Sequence, residues 1–218
     1  MTMHLARDLD KVRKHLMLLG DLVKDITEVS VKLLVNNAPA LLSQVDSLEA
    51  RINDLEVDIE EECLKILALH QPVAIDLRFI VVVMKVTNDL ERMGDQAVNI
   101  SHRVQALTEQ SPIQAKLPME EMGEAVQKMV IGSLDCLVNQ DVEHARAVVD
   151  MDDIVDDLHA GNYSTLRAAV LENPESVGAA MSYATISSNL ERMGDLCTNI
   201  AEEVMFMIDG TIVRHTDQ

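Results

Sequence analysis

Apolar residues recur at alternating spacings of three and four along most of the chain. One series begins at Leu41 and ends at Ile66, and a second begins at Phe79 and ends at Leu107. This spacing places apolar side chains on one face of an α-helix and is typical of the buried seam of a helix bundle. No stretch of similar length alternates residue by residue as a half-buried strand would. The pattern therefore predicts an all-α protein.

Prolines and asparagines interrupt the helical pattern at five places, among them Gln71-Pro72, Asn173-Pro174 and the segment Ser111–Pro118. Because these residues favour turns and proline cannot continue a helix, the breaks delimit six long helices. The predicted ranges are 4–35, 40–69, 74–109, 119–138, 141–171 and 176–208. The Ser111–Pro118 segment is predicted to link a first unit, residues 1–110, to a second unit, residues 111–218.

The two halves of the chain contain an internal repeat. Residues 90–100 read LERMGDQAVNI and residues 190–200 read LERMGDLCTNI, so eight of eleven positions are identical at an offset of one hundred residues. The second helices of the halves align more weakly, with Glu49 and Glu56 opposite Asp152 and His159. Such self-similarity indicates a duplicated structural unit. We therefore expect two pseudo-repeated three-helix bundles.

The charge balance excludes several classes of function. The chain carries 37 acidic and 18 basic residues, a formal net charge of −19. A general nucleic-acid binder needs an excess of Lys and Arg to neutralise phosphates, so no nucleic-acid partner is expected. The same balance disfavours adhesion to an anionic membrane and repels bare phosphate, whereas it attracts cations.

The cysteines and the lengths of the apolar runs indicate the cellular compartment of the protein. Cys63, Cys136 and Cys197 are isolated in apolar-periodic stretches, so we expect reduced, buried thiols, as in a reducing cytosol. The N-terminus lacks the apolar core of a signal peptide. The apolar run from Phe79 to Met84 is far too short to span a bilayer. A cytoplasmic protein with no direct membrane insertion is predicted.

Acidic and amide side chains form stripes along the predicted second, third, fifth and sixth helices. At about 100° per residue, three residues at i, i+4 and i+8 lie within roughly 80° of one another around the helix. The four stripes are Glu91, Asp95 and Asn99; Glu191, Asp195 and Asn199; Glu49, Asn53 and Glu56; and Asp152, Asp156 and His159.

Carboxylates four residues apart on a helix repel each other by a few tenths of a kcal/mol. A bound cation reverses the sign of this interaction, and bridging carboxylates are common ligands of Fe, Mn, Mg and Ca. A solvated acidic face is the alternative for any single pair. It does not explain why the word Glu-Arg-Met-Gly-Asp occurs in both halves. We therefore expect the stripes to bind cations.

These residues resemble the PhoU family, the accessory regulators of phosphate-specific transport. The resemblance rests on the six helices, the two LERMGD words and the segment QPVAIDLR at 71–78. It implies a pair of three-helix bundles, commonly assembled as a homodimer, in the cytoplasm. It further implies that the protein restrains phosphate uptake together with the ATPase of the phosphate ABC transporter and the phosphate sensor histidine kinase.

The resemblance also implies metal sites, because some family members bind multinuclear iron or zinc clusters through paired acid-x-x-x-acid motifs. The ion expected here is Fe, Zn, Mn or Mg. Asn53 departs from a carboxylate and supplies no charge, so the first site is expected to hold its metal more weakly. Carried over by position, the motif pairs are Glu49/Asn53 with Glu91/Asp95, and Asp152/Asp156 with Glu191/Asp195.

Two other kinds of protein compete with this interpretation. A ferritin-like oxidase needs Glu-x-x-His on two helices, and neither Glu91 nor Glu191 has a histidine three residues on. A hydrolase needs a nucleophile and base or a phosphate loop, and neither motif is present. We therefore expect no enzymatic activity. A helical scaffold or adaptor that works without metal stays open.

Overall fold

The computed structural model describes residues 3–36 and 38–209, so positions 1–2, 37 and 210–218 of the predicted units lie outside it. Within the described residues there are six α-helices, two short 3₁₀ segments and no strand, which confirms the all-α prediction. No predicted helix boundary differs from the observed one by more than two residues. The helices are α1, Met3–Asn36; α2, Leu42–His70; α3, Ile75–Leu107; α4, Met119–Asn139; α5, Val142–Glu172; and α6, Val177–Asp209.

Two of the turns between helices contain residues with positive φ angles that cannot be predicted from their residue types. Gln71, Ala74 and Gln140 all have positive φ angles, of 46°, 49° and 54°, although none of them is glycine. Gln71 ends α2 and Gln140 ends α4 in the left-handed conformation that glycine usually supplies. Asp141 then starts α5, where its side chain accepts a hydrogen bond from the backbone N–H of His144. These turns reverse the chain and lay successive helices side by side.

The six helices pack as two groups of three. Helices α1, α2 and α3 contact one another in the first half, and α4, α5 and α6 do so in the second. The groups meet where α3 packs along α6 and α1 packs against α4. One continuous cluster of buried apolar side chains runs through both groups. The pseudo-repeated bundles therefore share a core.

The predicted seams form this core. Ile52, Val86, Leu90 and Ile100 are all fully buried. Met181 on α6 is 67% exposed and lies outside this core. Among the described helices, none combines the length and apolarity needed to cross a membrane.

The three cysteines are buried free thiols, as predicted. Burial raises the pKa of Cys63 and Cys136 to about 12, so both thiols stay protonated and unreactive at neutral pH. They act as small apolar side chains in the core.

Candidate metal centre

Four carboxylates from two helices meet in the second repeat. Helices α5 and α6 run in opposite directions, and their stripes face each other: Asp152 and Asp156 from α5, Glu191 and Asp195 from α6. Burial raises the pKa of Asp152 to about 6, with further contributions from the charges of the three other carboxylates. The charges of these four carboxylates therefore act on one another, and we call the four residues the second cluster.

The other members of the second cluster are perturbed in the same direction. Burial raises the pKa of Glu191, and the charges of Asp195 and Asp156 add to the effect. Burial also raises the pKa of Asp195, with Asp156 contributing. Within the described part of the chain, none of the four carboxylates forms an ion pair with Lys or Arg. The charge of Arg192 lowers the pKa of Glu191 and Asp195, so this cation offsets part of the negative charge of the cluster without forming an ion pair.

One oxygen of the second cluster lacks any hydrogen-bond partner. Oδ1 of Asp152 is buried and unpartnered among the described residues, a costly state for a carboxylate oxygen. It lies against Gly194, where an added Cβ atom would come within 2.9 Å of it. The glycine of the repeated LERMGD word thus leaves room for the Asp152 carboxylate. An unsatisfied, partly buried oxygen in a carboxylate cluster suits the ligand shell of a cation.

The equivalent residues of α2 and α3 form a first cluster. Burial raises the pKa of Glu91, and the charges of Asp95, Glu56 and Glu49 raise it further. Burial and the charge of Glu60 likewise raise the pKa of Glu56. Asn53 is exposed on the same stripe. This cluster contains a fourth carboxylate, Glu56, that the predicted ligand set omitted.

The surroundings of the two LERMGD glycines differ between the clusters. An added Cβ on Gly94 would meet the Ile52 side chain at 3.3 Å and not a carboxylate. The close approach of α2 thus explains the glycine at position 94. At position 194, glycine leaves room both for the apolar side chains of α5 and for the Asp152 carboxylate.

The amides predicted as ligands lie at the edge of each cluster. Asn99 is exposed and Asn199 is half-buried, each one turn beyond the last carboxylate of its stripe. Neither makes a hydrogen bond to a cluster carboxylate within the described residues. Their role as ligands stays a prediction.

His159 lies beside the second cluster and was not in the predicted ligand set. It lies one turn beyond Asp156 on α5, and its charge lowers the pKa of Glu191. The signal was present in the repeat alignment, which places His159 opposite Glu56. Its imidazole makes the second cluster chemically different from the first.

The side chains of these clusters are not arranged as a finished coordination shell. Across the described residues, no three His, Cys, Asp or Glu side chains converge closely enough to hold a metal ion as they stand. Side-chain rotation would have to precede binding. Such rotation is inexpensive for half-exposed carboxylates with several accessible rotamers.

The fold and the clusters define a class of protein: a tandem pair of three-helix bundles in which each repeat carries an acidic cluster between its last two helices. A family model described as the PhoU domain matches residues 16–104 and again residues 119–204. The chain belongs to the PhoU family of phosphate-specific transport accessory proteins.

Named relatives extend this match over nearly the whole chain. A "phosphate-specific transport system accessory protein PhoU homolog" of Pseudomonas aeruginosa is 36% identical over 210 residues, covering 95% of this chain and 86% of the relative. The homolog of Aquifex aeolicus is 34% identical over 213 residues, covering 98% and 96%.

Solved structures agree with the fold. The crystal structure of PhoU from Pseudomonas aeruginosa superposes with a TM-score of 0.90 at 35% identity, covering 94% of this chain and 99% of that one. The crystal structure of the phosphate transport system regulatory protein PhoU from Streptococcus pneumoniae gives a TM-score of 0.86 at 24% identity, which bears on the fold alone.

Proposed function

We propose that this protein restrains phosphate uptake and phosphate-starvation signalling by docking to the transporter ATPase and to the phosphate sensor histidine kinase. It does so in the cytoplasm as a homodimer. The observation that carries the proposal is the full-length similarity to accessory proteins of phosphate-specific transport. The protein acts by binding and catalyses no reaction.

The charge of the chain supports the mode of docking. A surface with a net charge of −19 repels free phosphate, so a bound cation or a basic partner surface must intervene in any phosphate response. Exposed acids such as Asp153 and Asp157 on α5 offer an acidic helical face for a basic partner. Docking through such a face weakens as salt rises, because exposed charges are screened beyond roughly 8 Å at physiological ionic strength.

A metal ion in each cluster is part of the proposal. In the second repeat, Asp152, Asp156, Glu191 and Asp195 would hold it, and the unpartnered Asp152 oxygen is the observation that fits them to this role. When bound, the ion supplies positive charge that cancels the carboxylate repulsion and ties α5 to α6. Iron, zinc, manganese and magnesium all suit carboxylate ligands.

A metal-independent scaffold is the second candidate. It is favoured by the lack of converged ligands among the described side chains. In that case the acidic faces alone dock the partners. Chelator treatment separates the two candidates, because it leaves partner binding unchanged only for the scaffold.

The regulatory proposal is tested in cells by deleting the gene. Phosphate-starvation genes are then expected to stay on when phosphate is plentiful, and the wild-type gene should restore repression. Normal repression in the deletion strain would contradict the regulatory role.

Docking is tested with purified ATPase and kinase at low and high salt. The double variant Asp153→Lys/Asp157→Lys is expected to lose binding, because it reverses charge on the acidic face of α5. The matched control is Glu172→Lys/Glu175→Lys, which reverses exposed charges at the α5–α6 connection. Equal binding by both variants, with no salt dependence, would contradict docking through this acidic face.

A further inference from the structure

A groove, which we call the α1–α4 groove, runs along the surface between these two helices. Its larger hollow has a volume of about 350 Å³ and ends against the buried side chains of Phe79 and Met207. A smaller hollow of about 270 Å³ adjoins it, and Lys24 and Ile131 line both. The described residues of the two carboxylate clusters all lie outside it. The groove is therefore a separate feature of the surface.

The groove exposes apolar side chains at the spacing of a helix seam. Ile131, Leu134 and Val138 line it from α4 at intervals of three and four residues, and Met17 lines it from α1. Apolar residues at such intervals normally pack against another helix. Here Met17 and Val138 are each 53% exposed, and Ile131 is 43% exposed. No element of the described chain therefore covers this seam.

Net charge distinguishes the two helices of the groove from α2 and α5. Helix α1 contains six basic and five acidic residues and is the one described helix with a net positive charge, whereas α4 contains four acidic residues and one basic residue. Helices α2 and α5 contain eight and seven acidic residues against two basic residues each. Two copies of a chain whose net charge is −19 therefore repel each other least where α1 contributes to the contact.

The two walls of the larger hollow carry opposite charge. Arg13, Asp21 and Lys24 line it from α1, and Asp135 lines it from α4. The charge of Lys24 lowers the pKa of Glu28, but Lys24 and Asp135 form no ion pair with another described residue. One cation on the α1 wall and one anion on the α4 wall are therefore available to charges on whatever covers the groove.

A second copy of the chain fits both the charges and the apolar seam. The interface of a two-fold dimer uses the same patch on both subunits, so that patch must be complementary to itself. A two-fold axis parallel to the helices lays α1 of one copy on α4 of the other, which brings each positive wall against a negative wall. The same contact buries Met17, Ile131 and Val138 of both copies in a layer of four helices, which removes apolar surface from water.

We propose that the α1–α4 groove is the interface of the homodimer, with Lys24 of each copy paired to Asp135 of the other. This interface rests on the homodimer of the proposed function and adds the surface at which the two copies meet. Asp153 and Asp157 lie outside that surface, so the dimer keeps an acidic face of α5 on each copy for other partners.

Sedimentation of the full-length protein over a range of concentrations measures the dimer dissociation constant. Ile131→Glu should raise this constant about 30-fold or more, because it places a charge in the apolar centre of the contact. The matched control is Leu64→Glu, which makes the same kind of change at a 51% exposed apolar position on α2 and should leave the constant unchanged. Both positions are exposed in the single chain, and circular dichroism checks that each variant stays helical.

A charge exchange tests which residues meet. Lys24→Glu alone and Asp135→Lys alone should each weaken the homodimer by about 10-fold, because each puts like charges together at both symmetry-related contacts. An equimolar mixture of the two variants should recover wild-type affinity as a heterodimer, since both contacts then pair opposite charges. Interactions within one copy cannot produce this recovery, because neither chain of the mixture carries both exchanges.

A dimer whose dissociation constant is unchanged in Ile131→Glu, or a mixture that shows no recovery, would overturn this interface while the homodimer stands. A wild-type protein that stays a monomer at every concentration would overturn the interface and the homodimer together. If that monomer bound the ATPase or the kinase, with binding lost in Ile131→Glu and kept in Leu64→Glu, the groove would hold a partner protein and not a second copy. The deletion experiment judges the regulatory role separately.

Discussion

The ammonium nitrogen of Lys85 lies 2.9 Å from one carboxylate oxygen of Glu203 and 3.0 Å from the other. This pair joins α3 of the first repeat to α6 of the second. The Glu203 side chain is 3% exposed, whereas that of Lys85 is 44% exposed. The positions related to them by the repeat are Thr185 and Arg103, which cannot form the same ion pair. The bridge therefore breaks the pseudo-symmetry of the two bundles.

Lys85→Met is expected to destabilise the protein by about 1–2 kcal/mol, because it removes a cation from a buried carboxylate. Urea unfolding measures the change. The matched control is Lys65→Met, which removes exposed contacts to Glu61 and Glu62 and should destabilise the protein less than Lys85→Met does. Equal losses in the two variants would show that the inter-repeat bridge contributes no more than a surface pair.

Asp152→Asn is expected to stabilise the metal-free protein at pH 7.5 by about 1 kcal/mol, a figure discounted for partial exposure. The folded protein raises the pKa of Asp152 from its usual 3.8 to about 6, so the folded state holds the proton more tightly than the unfolded state. Wild-type stability from this group therefore increases as pH falls from above 6 to below 3.8.

The difference in unfolding free energy between Asp152→Asn and wild type should accordingly shrink as pH falls over this range and vanish near pH 4. Urea unfolding in the presence of chelator at several pH values measures this difference. Glu172→Gln, at an exposed position at the end of α5, is the control and should show no such trend. An advantage independent of pH would contradict the raised pKa as its cause.

Gly161→Ala and Gly123→Ala should change stability in opposite directions. An added Cβ at Gly161 meets nothing within 4 Å, so alanine should stabilise exposed α5 by about 1 kcal/mol through helix propensity. At Gly123 the same atom would lie 2.7 Å from Val31 Cγ1, across the α1–α4 contact. Valine is stiff at χ1, so we expect a net loss of about 1–2 kcal/mol there.

Thermal unfolding of both glycine variants provides the measurement. A stabilised Gly123→Ala protein would mean that α1 and α4 separate easily. The close packing between the repeats would then be unimportant for stability.

Asp195→Asn should reduce metal binding by the second cluster more than Asn53→Ala reduces it in the first. The aspartate supplies a charge and the asparagine supplies only an amide oxygen, so their loss weakens cation binding unequally. Elemental analysis after dialysis against a fixed metal concentration reports the bound ions. Glu56 gives the first cluster a fourth carboxylate, so equal amounts of metal bound at the two clusters of the wild-type protein are compatible with this prediction. Equal losses of bound metal in the two variants would contradict it.

Local patterns along the chain were sufficient to predict the helices and the stripes. Helix bounds followed from proline and asparagine breaks and from the spacing of side chains such as Ile52 and Leu90, because both signals act within a few residues. The predicted partners Asp152 and Glu191 came from the family resemblance, and their common cluster appears only in the fold. Gln71 and Gln140 adopt the left-handed conformation although neither is glycine, so the local sequence did not predict this conformation.

By itself, the sequence determined the six helices, the duplication, the buried cysteines and the acidic faces, because hydrophobic periodicity and repeated words are properties of neighbouring residues. Only the tertiary structure decided which faces meet. It packed α3 along α6, joined Lys85 to Glu203, and left the apolar side chain of Met181 exposed. It also brought Ser187 to His159 across 28 residues of chain. Such contacts depend on how whole helices pack, and helix packing is settled by the sum of many weak contacts far apart in the chain.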